Sequence, residues 1–145
     1  MLSNLLRQLT APTRPPLTET DARLAIGALL VRVARADGEY APEEIDRIDR
    51  ILAKQFDLSP FDATKMRREC EEIEAEAPDT VRFTRAIKES VALEKREGVI
   101  RAMWEVVLTD GDRDPEEDTL MRMVAPLLGL TDQDSNRIRL SLTRQ

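Results

Sequence analysis

The chain has no histidine, one cysteine, five glycines and only 3% aromatic residues among its 145. Each scarcity removes a class of protein. Without histidine no serine or cysteine triad of the usual kind can be assembled, and the commonest ligand for zinc or copper is missing. The lone Cys70 excludes an intramolecular disulfide and a multi-cysteine zinc site, which fits a reducing cytoplasm. So few glycines leave little room for the turns of an all-β fold. No run approaches the roughly 20 apolar residues of a membrane span. Met1–Thr10 lacks the basic start and long apolar core of a signal peptide, and there is no Gly-rich phosphate loop. Basic residues are outnumbered 22 to 28, and the net charge of −6 repels nucleic acid phosphates and anionic lipid. The expectation is a cytoplasmic protein with protein partners, no nucleic acid, and at most indirect contact with a membrane.

What is present is helix-forming sequence, enough for a single core, so the expected class is all-α. Two stretches nearly coincide. Ala36-Asp37-Gly38-Glu39-Tyr40-Ala41-Pro42-Glu43-Glu44 and Thr109-Asp110-Gly111-Asp112-Arg113-Asp114-Pro115-Glu116-Glu117 share Asp-Gly, a three-residue spacer and Pro-Glu-Glu, at a spacing of 115 − 42 = 73 residues. Each lies between an apolar run and an amphipathic run. This internal repeat predicts a pseudo-symmetric helical bundle with both Asp-Gly turns at one end.

Residues 1–17 read as a leader: Leu2, Leu5, Leu6 and Leu9 fall on one helical stripe, set apart by the proline-rich run from Ala11 to Pro16. The domain proper is expected over 18–145. Thr18 with Asp21 marks a helix start, and apolar residues from Leu24 to Ala34 cover nearly every side of that helix. Pro42 opens a helix with Ile45, Ile48, Ile51, Leu52 and Phe56 inward and Asp46, Arg47, Asp49 and Arg50 outward. Ser59-Pro60 starts a third helix, and Asp79 a fourth running to about Arg96. Gly98 marks the break before a second core helix containing Met103 and Trp104. Pro115 opens a helix on the stripe Leu120, Met123, Val124, Leu127 and Leu128, closed by Gly129, and Thr131 to Asp134 start the last.

The two loops admit more than one explanation. With Ala41 and Asp114 as N-caps, Glu44 and Glu117 sit at the third helical position, where a glutamate folds back on the cap's amide. Capping leaves Asp37 and Asp110 unexplained, because each follows a helix carboxyl end, where negative charge costs roughly 0.3–1 kcal/mol. Asp110, Asp112 and Asp114 are spaced two apart, and carboxylates about 6 Å apart repel by roughly 0.7 kcal/mol even in water. A divalent cation, the arginines Arg35, Arg47 and Arg113, or amides of the following helix could each offset this. Oxygen ligands suit Ca²⁺, Mg²⁺ or Mn²⁺. An EF-hand does not fit: counted from Asp110, position six is Pro115 and position twelve is Met121.

An apolar helix, Ala36-Asp37-Gly38, a short spacer, Glu44, an amphipathic helix and later Leu128-Gly129-Leu130-Thr131 together resemble the TerB family of tellurite-resistance proteins. Similar domains occur in some membrane-anchored J-domain co-chaperones. The likeness spans roughly Thr18 to Leu142. It implies a compact all-helical domain of about seven helices, a metal-sensing or scaffolding role, and partners in membrane-associated stress-response complexes. Its recurrent acidic pairs fall on Asp37 with Glu44 and on Asp110 with Glu117. The chain departs from the pattern in its additional Asp112 and Asp114 and in its leader.

The expected function is therefore a non-enzymatic module with Asp37, Glu44, Asp110 and Glu117 as cation ligands and Glu39, Asp112 and Asp114 beside them. A metal-independent adaptor is the alternative, recruiting a partner through the acidic run that includes Glu69, Glu72 and Glu76, with Arg82, Arg85 and Lys88 giving the next helix the opposite charge. A carboxylate-dependent hydrolase is the remote third reading. Cys70 and Trp104 read as core.

Overall fold

The computed structural model describes residues 6, 18–36, 38–76, 79–109 and 115–143; among these it contains seven helices and no strand. The helices are α1 (Glu19–Ala34), α2 (Pro42–Phe56), α3 (Pro60–Glu76), α4 (Thr80–Ser90), α5 (Leu93–Val107), α6 (Pro115–Leu127) and α7 (Asp132–Thr143). Their starts follow local chemistry. Thr18 Oγ1 accepts the Asp21 amide at 3.1 Å, Ser59 Oγ that of Asp62 at 3.1 Å, and Thr131 Oγ1 that of Asp134 at 3.0 Å. Pro42 and Pro115 stand first in their helices, where no amide is needed. Gly129 closes α6 at φ +84°, with the Leu130 amide reaching back to the Ala125 carbonyl at 2.9 Å.

The two core helices are α1 and α5. Apart from Arg32, every residue of α1 from Leu24 to Ala34 is buried, because α1 touches α2, α3, α4, α5 and α6. α5 touches α1, α2, α4, α6 and α7 in the same manner.

The repeat extends into hydrogen bonding and burial. The Arg35 amide bonds the Val31 carbonyl at 2.9 Å and the Ala36 amide that of Val33 at 3.2 Å. At the repeat spacing, Leu108 bonds Trp104 at 2.9 Å and Thr109 bonds Val106 at 3.3 Å. The buried stripe of α2 is Glu44, Ile48, Ile51 and Leu52, and that of α6 is Glu117, Met121, Val124 and Ala125, the same four positions.

The structure departs from the sequence expectations at three places. Met123 is exposed and Met121 buried, since the inward stripe of α6 starts at Glu117 and recurs every three or four residues. Asp49 does not face outward: its carboxylate accepts from Arg67 Nε at 2.6 Å and from Thr64 Oγ1 at 3.1 Å, tying α2 to α3. Burial disfavours charge on Arg67, yet the hydrogen bonds to Asp49 and Glu71 outweigh it and raise its pKa. Finally, the chain breaks at Val91-Ala92, and Gly98 lies inside α5. After Ile87 and Val91 no inward apolar residue follows until Val99, so one continuous helix would carry Glu94 and Lys95 through the stripe. Arg96 seals the break, donating to the Val91 carbonyl at 3.0 Å and to the Leu128 carbonyl at the end of α6 at 2.6 Å.

α1 and α3 approach closely at Gly27. A Cβ there would overlap Cys70 Sγ and lie 3.5 Å from Leu52 Cδ2. Cys70 is fully buried near the Leu24 carbonyl, and burial, helped by Glu69 and Glu71, pushes its thiol up to about 12. It is a core residue, as is Trp104, whose indole donates to Ser135 Oγ at 3.0 Å. In the leader, Leu2, Leu5 and Leu9 lie outside the described residues, while Leu6 is helical and packs, half-buried, on the core.

Candidate functional site

The first loop leaves α1 through Arg35 and Ala36 and turns at Gly38, φ +82°, whose amide bonds the Arg35 carbonyl at 3.0 Å. Glu39 is exposed. The Ala41 amide donates to Glu44 Oε1 at 3.1 Å, so the glutamate folds back on its own cap. It is nevertheless only 4% exposed, and Glu117, its counterpart on α6, only 2%. Both head the buried stripe of their helix, and this register turns them inward. A carboxylate removed from water needs compensation by hydrogen bonds or opposite charge.

Arg35 pairs elsewhere. Its Nη1 pairs with Glu74 Oε1 at 2.6 Å, and its guanidinium lies 4.9 Å from the centre of the Tyr40 ring. Arg32 joins the same carboxylate at 3.2 Å and donates to the Glu74 carbonyl and to Thr80 Oγ1. Arg47 is exposed. The Tyr40 hydroxyl donates to Glu71 Oε2 at 2.6 Å; burial, then this bond to a carboxylate, raises its pKa. Arg67 also holds Glu71, at 2.8 Å.

The acidic run of α3 therefore divides. Glu71 and Glu74 turn inward to bind Arg67, Tyr40, Arg32 and Arg35, whereas Glu72 and Glu76 are exposed and Glu69 is half-exposed. The three residues expected from the sequence, Glu69, Glu72 and Glu76, are the outer ones, and the inward pair was not among them. On the helical wheel Glu74 lies beside the buried Ala63 and Cys70, a signal present in the sequence, whereas Glu71 is drawn in by Arg67 and Tyr40.

Arg32, Arg35, Ala36 and Glu74 share a shallow groove of about 390 Å³ with Glu116, Thr119, Leu120 and Met123. The residues entering the first loop thus adjoin those leaving the second. At another place the start of α1 (Glu19, Ala22), the end of α2 (Gln55, Phe56) and the first half of α5 (Lys95, Gly98) line a groove of about 660 Å³. α1 and α5 accordingly start near one another. Of the expected cation ligands, Asp37, Asp110, Asp112 and Asp114 lie outside the described residues, as does Arg113. Among the described residues no three carboxylates or thiols are grouped to hold a metal ion, and no helix is long and apolar enough to cross a membrane.

The profile of the family described as "Tellurite resistance protein TerB" matches residues 23–140, a span that takes in both loops and nearly all of the seven helices. The chain belongs to the TerB family. Neither the curated proteins nor the solved structures gave a significant match. As a TerB domain the chain bears out the resemblance read from Ala36-Asp37-Gly38, Glu44 and Leu128-Gly129-Leu130-Thr131, and its helical fold agrees with what that resemblance implied.

Proposed function

We propose that this TerB domain is a non-enzymatic binding module that takes a hard divalent cation, Ca²⁺, Mg²⁺ or Mn²⁺, between its two acidic loops, and serves within stress-response or membrane-associated complexes. The observation that carries the reading is the matched burial of Glu44 and Glu117, each the first residue of an inward stripe. A cap glutamate on a helix surface satisfies its role without losing water, so capping accounts for the Ala41 contact and not for the burial. Arg35 pairs with Glu74, and both buried carboxylates head the helices that follow the acidic loops. The donor set fits oxygen-loving ions: Asp37, Glu44, Asp110 and Glu117 as ligands, with Glu39, Asp112 and Asp114 nearby, and neither histidine nor thiolate among them. A bound ion would join the loops and stiffen that end of the bundle. Calorimetric titration of metal-free protein with each ion tests this, and absence of binding heat for all three counts against it.

A second reading has its own support. Glu69, Glu72 and Glu76 lie on the outer side of α3 and could dock a protein partner without any ion. Capture of a partner by chelator-treated protein, lost on Glu72→Lys, would favour it.

A further inference from the structure

The outer face of α3 carries the most exposed large hydrophobic side chain described, Phe61 at 77%. At 100° per residue Phe61, Lys65, Arg68, Glu69, Glu72, Ala75 and Glu76 share one side of the helix, opposite the buried Ala63 and Cys70. Most of these line an open groove of about 570 Å³. The face has an order: an aromatic, then two cations, then three carboxylates with one small residue among them. Lys65, Arg68, Glu69 and Glu72 form no ion pair among the described residues, although Lys65 with Glu69 and Arg68 with Glu72 are spaced to do so. With the basic residue first, that spacing is the weaker arrangement.

We propose that this face recognises a second copy of the chain, whose α3 packs antiparallel on it about a two-fold axis between Arg68 and Glu69. Residues equidistant from that axis meet. Lys65 faces the partner's Glu72, Arg68 faces the partner's Glu69, and Phe61 covers the partner's Ala75 and the stem of the partner's Glu76. Every contact occurs twice, as an isologous interface requires. Charge complementarity is what selects this occupant. A basic helix would match only the acidic half and be repelled by Lys65 and Arg68, whereas the reversed copy matches both halves and sets its small Ala75 against the large Phe61. A single helix face of 17 residues is small beside the roughly 1,200–2,000 Å² of a stable interface, so the dimer is weak and concentration-dependent. The inference is independent of the cation reading, since no α3 residue belongs to either loop.

Sedimentation of the full chain across a concentration series, at low and high salt, tests the proposal. Self-association that weakens with salt is expected, because exposed pairs are screened over about 8–10 Å at physiological ionic strength. Lys65→Glu and Glu72→Lys should each weaken it by about tenfold or more, since two attractive contacts become repulsive. Melting curves identify any variant that fails to fold. The deciding arm mixes the two variants in equal amounts: Glu at 65 then faces Lys at 72, Lys at 65 faces Glu at 72, and association should return to the wild-type level. A wild type that stays monomeric throughout, single variants that still dimerise, or a mixture that does not recover would each overturn the proposal.

Discussion

Replacing Gly27 with alanine should destabilise the protein, against the usual effect of removing a glycine from a helix interior. Propensity alone favours alanine by about 1 kcal/mol. The added methyl, however, overlaps Cys70 Sγ, and Cys70 is fully buried on the side of α3 that meets α1, with Leu52 Cδ2 3.5 Å from the methyl. Forcing a methyl into a packed contact costs about 1–3 kcal/mol, so the net change runs from near zero to a loss of about 2 kcal/mol. Gly98 is the internal control. It also lies inside a helix, but nothing stands within 4 Å of a Cβ there, so Gly98→Ala should gain about 0.5–1 kcal/mol. Urea unfolding followed by circular dichroism should move the two midpoints in opposite directions. Combining Gly27→Ala with Cys70→Ala should recover stability relative to the sum of the single changes, a coupling of about 0.5–3 kcal/mol. Equal stabilisation by both alanines, or strict additivity with Cys70→Ala, would refute the close approach of α1 and α3.

Further outcomes follow from the same contacts. The folded Cys70 holds its proton to about 12, whereas an unfolded thiol loses it near 9.0, so the folded state is the more protonated between these values. Wild-type stability should therefore fall as pH rises through this window, by up to about 1.4 kcal/mol per unit from this group. Tyr40 acts in the same sense above 10.0, so the measurement is the difference in alkaline slope between wild type and Cys70→Ala, and equal slopes would contradict the burial. Arg96→Ala should cost about 1–3 kcal/mol by releasing the Val91 and Leu128 carbonyls. Arg96→Lys should not restore it, because a single ammonium lacks the fork that reaches both; full rescue by lysine would show that charge alone suffices.

Much of this was legible in the sequence because it is local. The caps at Thr18, Ser59 and Thr131, the prolines at 42 and 115 and the turn at Gly129 each announce a helix end through their own side-chain or backbone chemistry. The repeat forecast two core helices by composition alone. What escaped was set by distant partners. Asp49 looked like surface until Arg67, 18 residues on, was placed beside it. Gly98 looked like a break because glycine is a poor helix former, but its cost of about 1 kcal/mol is small beside the packing of Val99, Ile100 and Met103. The inward turn of Glu44 and Glu117 could have been found by extending each buried stripe one step toward its proline. The approach of Gly27 to Cys70 leaves no trace in either segment read separately.

The most direct test of the cation reading is the melting temperature of metal-free protein with and without millimolar Ca²⁺, Mg²⁺ or Mn²⁺, for wild type and for Asp110→Asn/Glu117→Gln. An ion present at about 100 times its dissociation constant stabilises by about 2.7 kcal/mol, which raises the midpoint by roughly 5–11 °C for a chain of this size. Such a rise is expected in wild type with at least one ion, and its loss in the double variant. A wild-type midpoint indifferent to all three ions would contradict it and leave Glu44 and Glu117 as helix caps.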